Sequence, residues 1–190
     1  MPDDFESSNS FNEKNNYIMD RGRILENLKS LNNELKLVDV RGEIALVGGA
    51  VMCLVMKTRE STHDIDAIFE PKAIMYECIK KVACKLGLPD DWINDSVKGF
   101  VSQEADFQLH LELSNLNVFV ASPEYMLAMK CLSSRADNNA ELSDIRHLIL
   151  YLNLKTYEEV ETVMLKYYPI SRFQVKTRYV IREVLDGLYS

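Results

Sequence analysis

A chain of 190 residues, 47% hydrophobic and 27% charged, is long enough for one sizeable core and has the composition of a soluble globular protein. Its net charge of -7 argues against a nonspecific nucleic-acid binder, which needs a basic footprint to displace counterions. No apolar run approaches the roughly 20 residues of a membrane-spanning helix. The polar stretch Met1 to Asn16, which has no apolar signal core, predicts a disordered tail on a cytoplasmic protein.

Asp20 to Lys36 places Ile24, Leu25, Leu28, Leu31 and Leu35 at helical spacing, predicting an amphipathic helix packed on a sheet. Glu43 to Val47 reads as a short buried strand, and Ala50 to Met56 as a helix with few polar positions. A polar connection, Lys57 to His63, leads to an apolar strand that carries Asp64 and Asp66. Lys72 to Leu86 is a crossover-type helix closed by Gly87 and Pro89. Asp90 to Gly99, with the only tryptophan, reads as a loop or short turn.

Further on, Phe107, Leu109, Leu111 and Leu113 alternate with polar residues as in a half-exposed strand, and Leu116 to Ala121 follows as a second one. Ser122-Pro123 is a helix start, because serine caps and proline suits the first helical position. Thr156 and Glu159 form the pattern of a capping box, and Arg172 to Leu188 predicts the last helix. The fold class expected is α/β (α+β): a small mixed sheet flanked by helices over residues 17–121, then a helical part over 122–190 packed on it. Basic residues from Lys166 to Arg182 read either as an RNA-facing patch or as a solvated helix face. Cys53, Cys78, Cys84 and Cys131 show no C-x-x-C spacing and read as reduced core residues.

The chemistry concentrates between Leu46 and Asp66. In a strand, Asp64 and Asp66 project to the same side, and two carboxylates in an apolar strand are costly unless a cation compensates them. Mg²⁺ or Mn²⁺ suits such hard oxygen ligands, completed by nucleotide phosphates. Gly48-Gly49, between a strand and a helix, allow a sharp turn and a close approach of backbone amides to a phosphate.

The order Val47-Gly48-Gly49, about a dozen residues, then Asp64-Ile65-Asp66 resembles the motif of the polymerase-beta-like nucleotidyltransferase superfamily. Arg59, Thr62, Asp64 and Asp66 are similar to the Arg-x-x-Thr-x-Asp-apolar-Asp run of a bacterial branch. That branch includes abortive-infection nucleotidyltransferase toxins of the AbiEii type. Trp92 to Asp95, Ser122 to Lys130, Arg135 and Asp144-Ile145 resemble an uncharacterised group within the branch, so the likeness extends from Leu46 to Leu150.

The resemblance implies that Asp64 and Asp66 hold the metal and that Gly48, Gly49 and Thr62 handle the phosphates, while Arg59 and Arg135 either share that task or pair with acids. Ala50 stands where many members carry a serine or threonine, so its phosphate contact is missing or made by backbone. Lys130 and Asp144 match a lysine and acid linked to triphosphate handling in the branch, with Glu141 the alternative acid. The family often adds a third carboxylate on a later strand; Glu112 is the candidate for it, or else is simply solvent-exposed. The activity implied is transfer of a nucleoside monophosphate from a nucleoside triphosphate to a hydroxyl of RNA or protein, as in a toxin with a cognate antitoxin. A catalytically silent binding module and an aminoglycoside-type enzyme are the alternatives. Neither DNA nor a membrane is an expected partner.

Overall fold

The computed structural model describes residues 17–134 and 139–189. The chain begins with a two-residue strand, β1 (Met19–Asp20), whose Asp20 caps the helix α1 (Arg21–Leu37) by accepting from the Arg23 amide at 2.8 Å. This cap satisfies one of the orphan donors at the helix start. Ile24, Leu28, Leu31 and Leu35 of α1 are all buried, as their spacing predicts.

β2 (Gly42–Leu46) follows, then the short helix α2 (Gly48–Val51), which widens into a π-helical turn over Met52–Met56. Lys57, with φ 55°, ends it in the left-handed region. β3 (Ser61–Thr62) pairs with β1, and β4 (Ile65–Glu70) pairs antiparallel with β2. α3 (Lys72–Leu86) then crosses over to β5 (Ile93–Asn94), which lies parallel to β4. Trp92, placed in a loop by its sequence, is fully buried and donates its indole N–H to the Ile79 carbonyl at 3.2 Å. Aligned by that anchor, the next two residues pair as a strand.

A 3-10 turn, Ser96–Phe100, leads to β6 (Phe107–Glu112) and β7 (Leu116–Ala121), giving a five-stranded mixed sheet in the order β5-β4-β2-β7-β6. Ile44, Leu46, Ala67, Phe69, Val118 and Val120 face α1 and α3 and are buried. Their alternates Glu43, Ala45, Ile68, Glu70 and Phe119 remain partly or fully exposed, so only one face of the sheet serves the main core.

The remainder is helical: α4 (Pro123–Ser133), α5 (Asn139–Tyr151), α6 (Tyr157–Tyr167) and α7 (Val175–Tyr189), with a 3-10 turn at Ile170–Arg172. The Ser122 hydroxyl caps α4, and the capping box of Thr156 and Glu159 is complete at α6. α4 packs against α5, α6 and α7, and its Tyr125 meets Phe107 of β6 edge-on with ring centroids 5.6 Å apart. Several basic residues of the last third have partners: Lys166 pairs with Glu124, Arg172 stacks on Tyr168 and Arg182 on Tyr157. These contacts agree with a solvated, internally paired helix surface. No helix among the described residues is long and apolar enough to cross a membrane.

Candidate active site

The end of β2 turns into α2 through two glycines that the geometry requires. Gly48 has φ +66°, and a Cβ there would lie 2.8 Å from Oδ2 of Asp66. A Cβ on Gly49 would lie 2.5 Å from the hydroxyl of Thr62 and 3.4 Å from Nη1 of Arg59. The turn therefore presses its backbone against the strand that carries the carboxylates. The Val47 amide donates to the Asp66 carbonyl at 2.9 Å and fixes that contact. Thr62, buried, donates its hydroxyl to the Asp64 carbonyl at 3.1 Å and sets the entry into β4. Its role is thus to shape the Asp64 backbone and to seat against Gly49. Ala50 is fully buried, so its side chain offers nothing to a ligand.

Asp64 and Asp66 stand side by side at the start of β4, half-buried. Burial, and then the charge of Asp64, raise the Asp66 carboxyl above the usual range, against the opposing pull of Asn94, Lys130 and Ser96. Two residues outside the expected set complete this corner. The Asn94 amide donates to Asp64 Oδ2 at 3.0 Å, and Ser96 approaches Asp66 Oδ1 at 3.4 Å. Asn94 lies directly opposite Asp66 in the β4–β5 pairing. The polar step Asn94-Asp95 after Trp92-Ile93 was the signal for this strand, but two residues are too few for a period to show.

Behind the turn lies a buried ionic cluster. Asp144 of α5, 1% exposed, accepts from Nε of Arg59 at 2.7 Å and from Nη2 at 2.6 Å, and pairs with Nζ of Lys130 at 2.7 Å. One acid thus holds two cations. The fork geometry of the guanidinium commits Nε and Nη2 to Asp144, and Nη1 remains on the Gly49 side. A cleft of about 330 Å³ opens between these groups, with Gly48, Asp66 and Ser96 on one wall and Lys130, Met126 and Met129 of α4 on the other.

The structure brings Gly48, Gly49, Arg59, Thr62, Asp64, Asp66, Lys130 and Asp144 into one corner. Glu112 is not among them. The strand register sets Glu112 opposite Asn117, Asn117 opposite Glu43, and Glu43 opposite Glu70, which places it at the far end of the sheet from Asp66. There it is exposed and bonded to Arg41 at 2.7 Å, so the solvent-exposed reading of Glu112 holds. Arg135 lies outside the described residues.

Two carboxylates, one of them destabilised by burial and by its neighbour, beside a glycine turn packed against Asp66, fit one divalent cation. Among the described residues no third His, Cys, Asp or Glu joins them in a group able to hold a metal. A cation here needs oxygens from a substrate or water to complete its shell.

Comparison with curated proteins and with solved structures gives no match. A family model described as "Nucleotidyltransferase of unknown function (DUF6036)" matches residues 26–178, well over half of the chain and including every residue of the corner described above. The chain belongs to this family of nucleotidyltransferases.

Proposed function

We propose that the protein transfers a nucleoside monophosphate from a nucleoside triphosphate to a hydroxyl group of RNA or protein, with Mg²⁺ or Mn²⁺. The observation that supports this most is the single cleft in which Asp66, Gly48 and Lys130 face one another. The acceptor oxygen forms a bond to the α-phosphorus, the bond from that phosphorus to the bridging oxygen breaks, and pyrophosphate leaves. The acceptor's proton passes to solvent or to a neighbouring carboxylate.

Asp64 and Asp66 would hold the cation, which supplies charge neutralisation at the phosphates when bound. The Gly48-Gly49 turn, whose Gly48 lines the cleft, would present backbone to the phosphate chain. Lys130 acts as a point charge on the departing pyrophosphate, with Arg59, held beside Gly49 by Asp144, assisting. Asp144 does not touch the phosphates in this scheme; it orients both cations. Membership of a toxin and antitoxin pair, in the cytoplasm, is the biological setting that the sequence resemblance suggests.

The test is binding of each nucleoside triphosphate with Mg²⁺ to the wild type and to Asp64→Ala/Asp66→Ala, read by fluorescence polarisation. Loss of affinity in the variant is expected, and equal affinity in both proteins refutes the site. A second reading, a nucleotide-binding protein without turnover, is favoured by Asn94 beside the carboxylate pair. Label appearing on RNA or protein from an α-labelled triphosphate removes that reading.

A further inference from the structure

The family resemblance leads one to expect a third acid on the strand beside the two aspartates. That strand is β5, and the residue opposite Asp66 is Asn94. The acid next along, Asp95, lies past the end of β5 and is engaged elsewhere, by Lys98 and by Lys72 at 3.8 Å. Lys98, and then Tyr76, hold its carboxyl below the usual range.

The orientation of the Asn94 amide is fixed by its neighbours. The Ser96 backbone N–H, which can only donate, lies 3.1 Å from Oδ1, and the Ser96 hydroxyl bonds the same oxygen. The NH₂ end therefore faces Asp64 Oδ2 at 3.0 Å. Turning the amide over would set a donor against the Ser96 N–H and an oxygen against the carboxylate, losing both bonds. Where a metal ligand would present an oxygen, the chain presents a hydrogen-bond donor locked in place.

We infer that Asn94 is a positioning residue that makes this a one-cation site: its amide steers Asp64 and blocks a second ion from the side of β5. The inference rests on the proposed reading of Asp64 and Asp66 as cation ligands. It assigns the rest of the triphosphate charge to Lys130, which lines the cleft and is held by Asp144.

The experiment titrates Mn²⁺ alone into the full chain and counts bound ions by electron paramagnetic resonance, with thermal melts to verify folding. Wild type is expected to bind one ion, Asn94→Asp two, and Asp64→Ala/Asp66→Ala none. Asn94→Ala, which frees Asp64 but adds no ligand, should keep one ion with affinity lower by about tenfold, the usual cost of removing a group that orients a metal ligand. It serves where Asn94→Asp does not fold, and unchanged affinity there overturns the positioning role. Two ions on the wild type, or one on a folded Asn94→Asp, overturn the inference while the cation site stands. No ion on the wild type overturns the cation site itself and the inference with it.

Discussion

Asp66 is held at a cost to the fold. Its carboxyl is raised first by burial and then by Asp64, so the native state binds that proton more tightly than the unfolded chain does. Stability therefore falls as pH climbs from the ordinary carboxylate range through the raised value, and is flat above it. Asp66→Asn removes this penalty. We expect the variant, without metal, to melt at a higher temperature than the wild type at neutral pH, with the gap closing as pH drops below the ordinary carboxylate range. A lower melting temperature for Asp66→Asn at neutral pH contradicts this account. The residues of the corner were legible where chemistry constrains their type: Gly48, Gly49, Asp64 and Asp66 are hard to replace in a turn pressed on a carboxylate pair. Asn94 was not, because an amide in a polar stretch has many bland uses and its meaning comes only from the strand opposite.

At the scale of elements, one buried acid ties the loop before β3 to α4 and α5. Arg59, Lys130 and Asp144 come from three separate segments, and each cation reaches a carboxylate oxygen of Asp144 within 2.7 Å. Removing Asp144 takes the shared carboxylate from two cations, each at least three-quarters buried at the side chain. Asp144→Ala is expected to cost about 3 kcal/mol in urea unfolding, since breaking a buried pair from one side strands its partners. A loss below about 0.5 kcal/mol, the size of an ordinary surface change, would show that the cluster is solvated. Elements with local punctuation were read almost to the residue: α3 ends at Gly87, α4 starts at Ser122-Pro123, and α6 starts in its capping box. The π-turn at Met52–Met56 was not separable from a regular helix, because an apolar run carries no mark of how wide its turns are.

For the whole molecule, the sheet and its two covering helices form the main core, and the cysteines report on its integrity. Cys53, Cys78 and Cys131 are buried, as their apolar surroundings predict, whereas Cys84 is exposed. Burial pushes the Cys131 thiol up to about 12, so almost none of it is thiolate at ordinary pH. Iodoacetamide at pH 8 should modify Cys84 alone in the native protein and all four cysteines in denaturant, as read by mass spectrometry. Rapid native labelling of Cys131 would mean that α4 opens far more readily than its packing implies. β2, β4 and β7 were visible beforehand as short apolar strands, whereas the alternation expected along β6 breaks where its register slips between Leu109 and Leu111, and the order of the strands depends on pairings distant in sequence.

The edges of the sheet bear on how the protein behaves at high concentration. A long, flat, unpaired strand edge is a template on which a second chain can add its own strand, the first step towards aggregates. Here one edge is β5, only two residues long, and the other is β6, where the register slips between Leu109 and Leu111. The first is too short, and the second too bent, to line up with a neighbour. The strand that sets Asn94 against Asp64 thus also leaves that edge with little backbone to share.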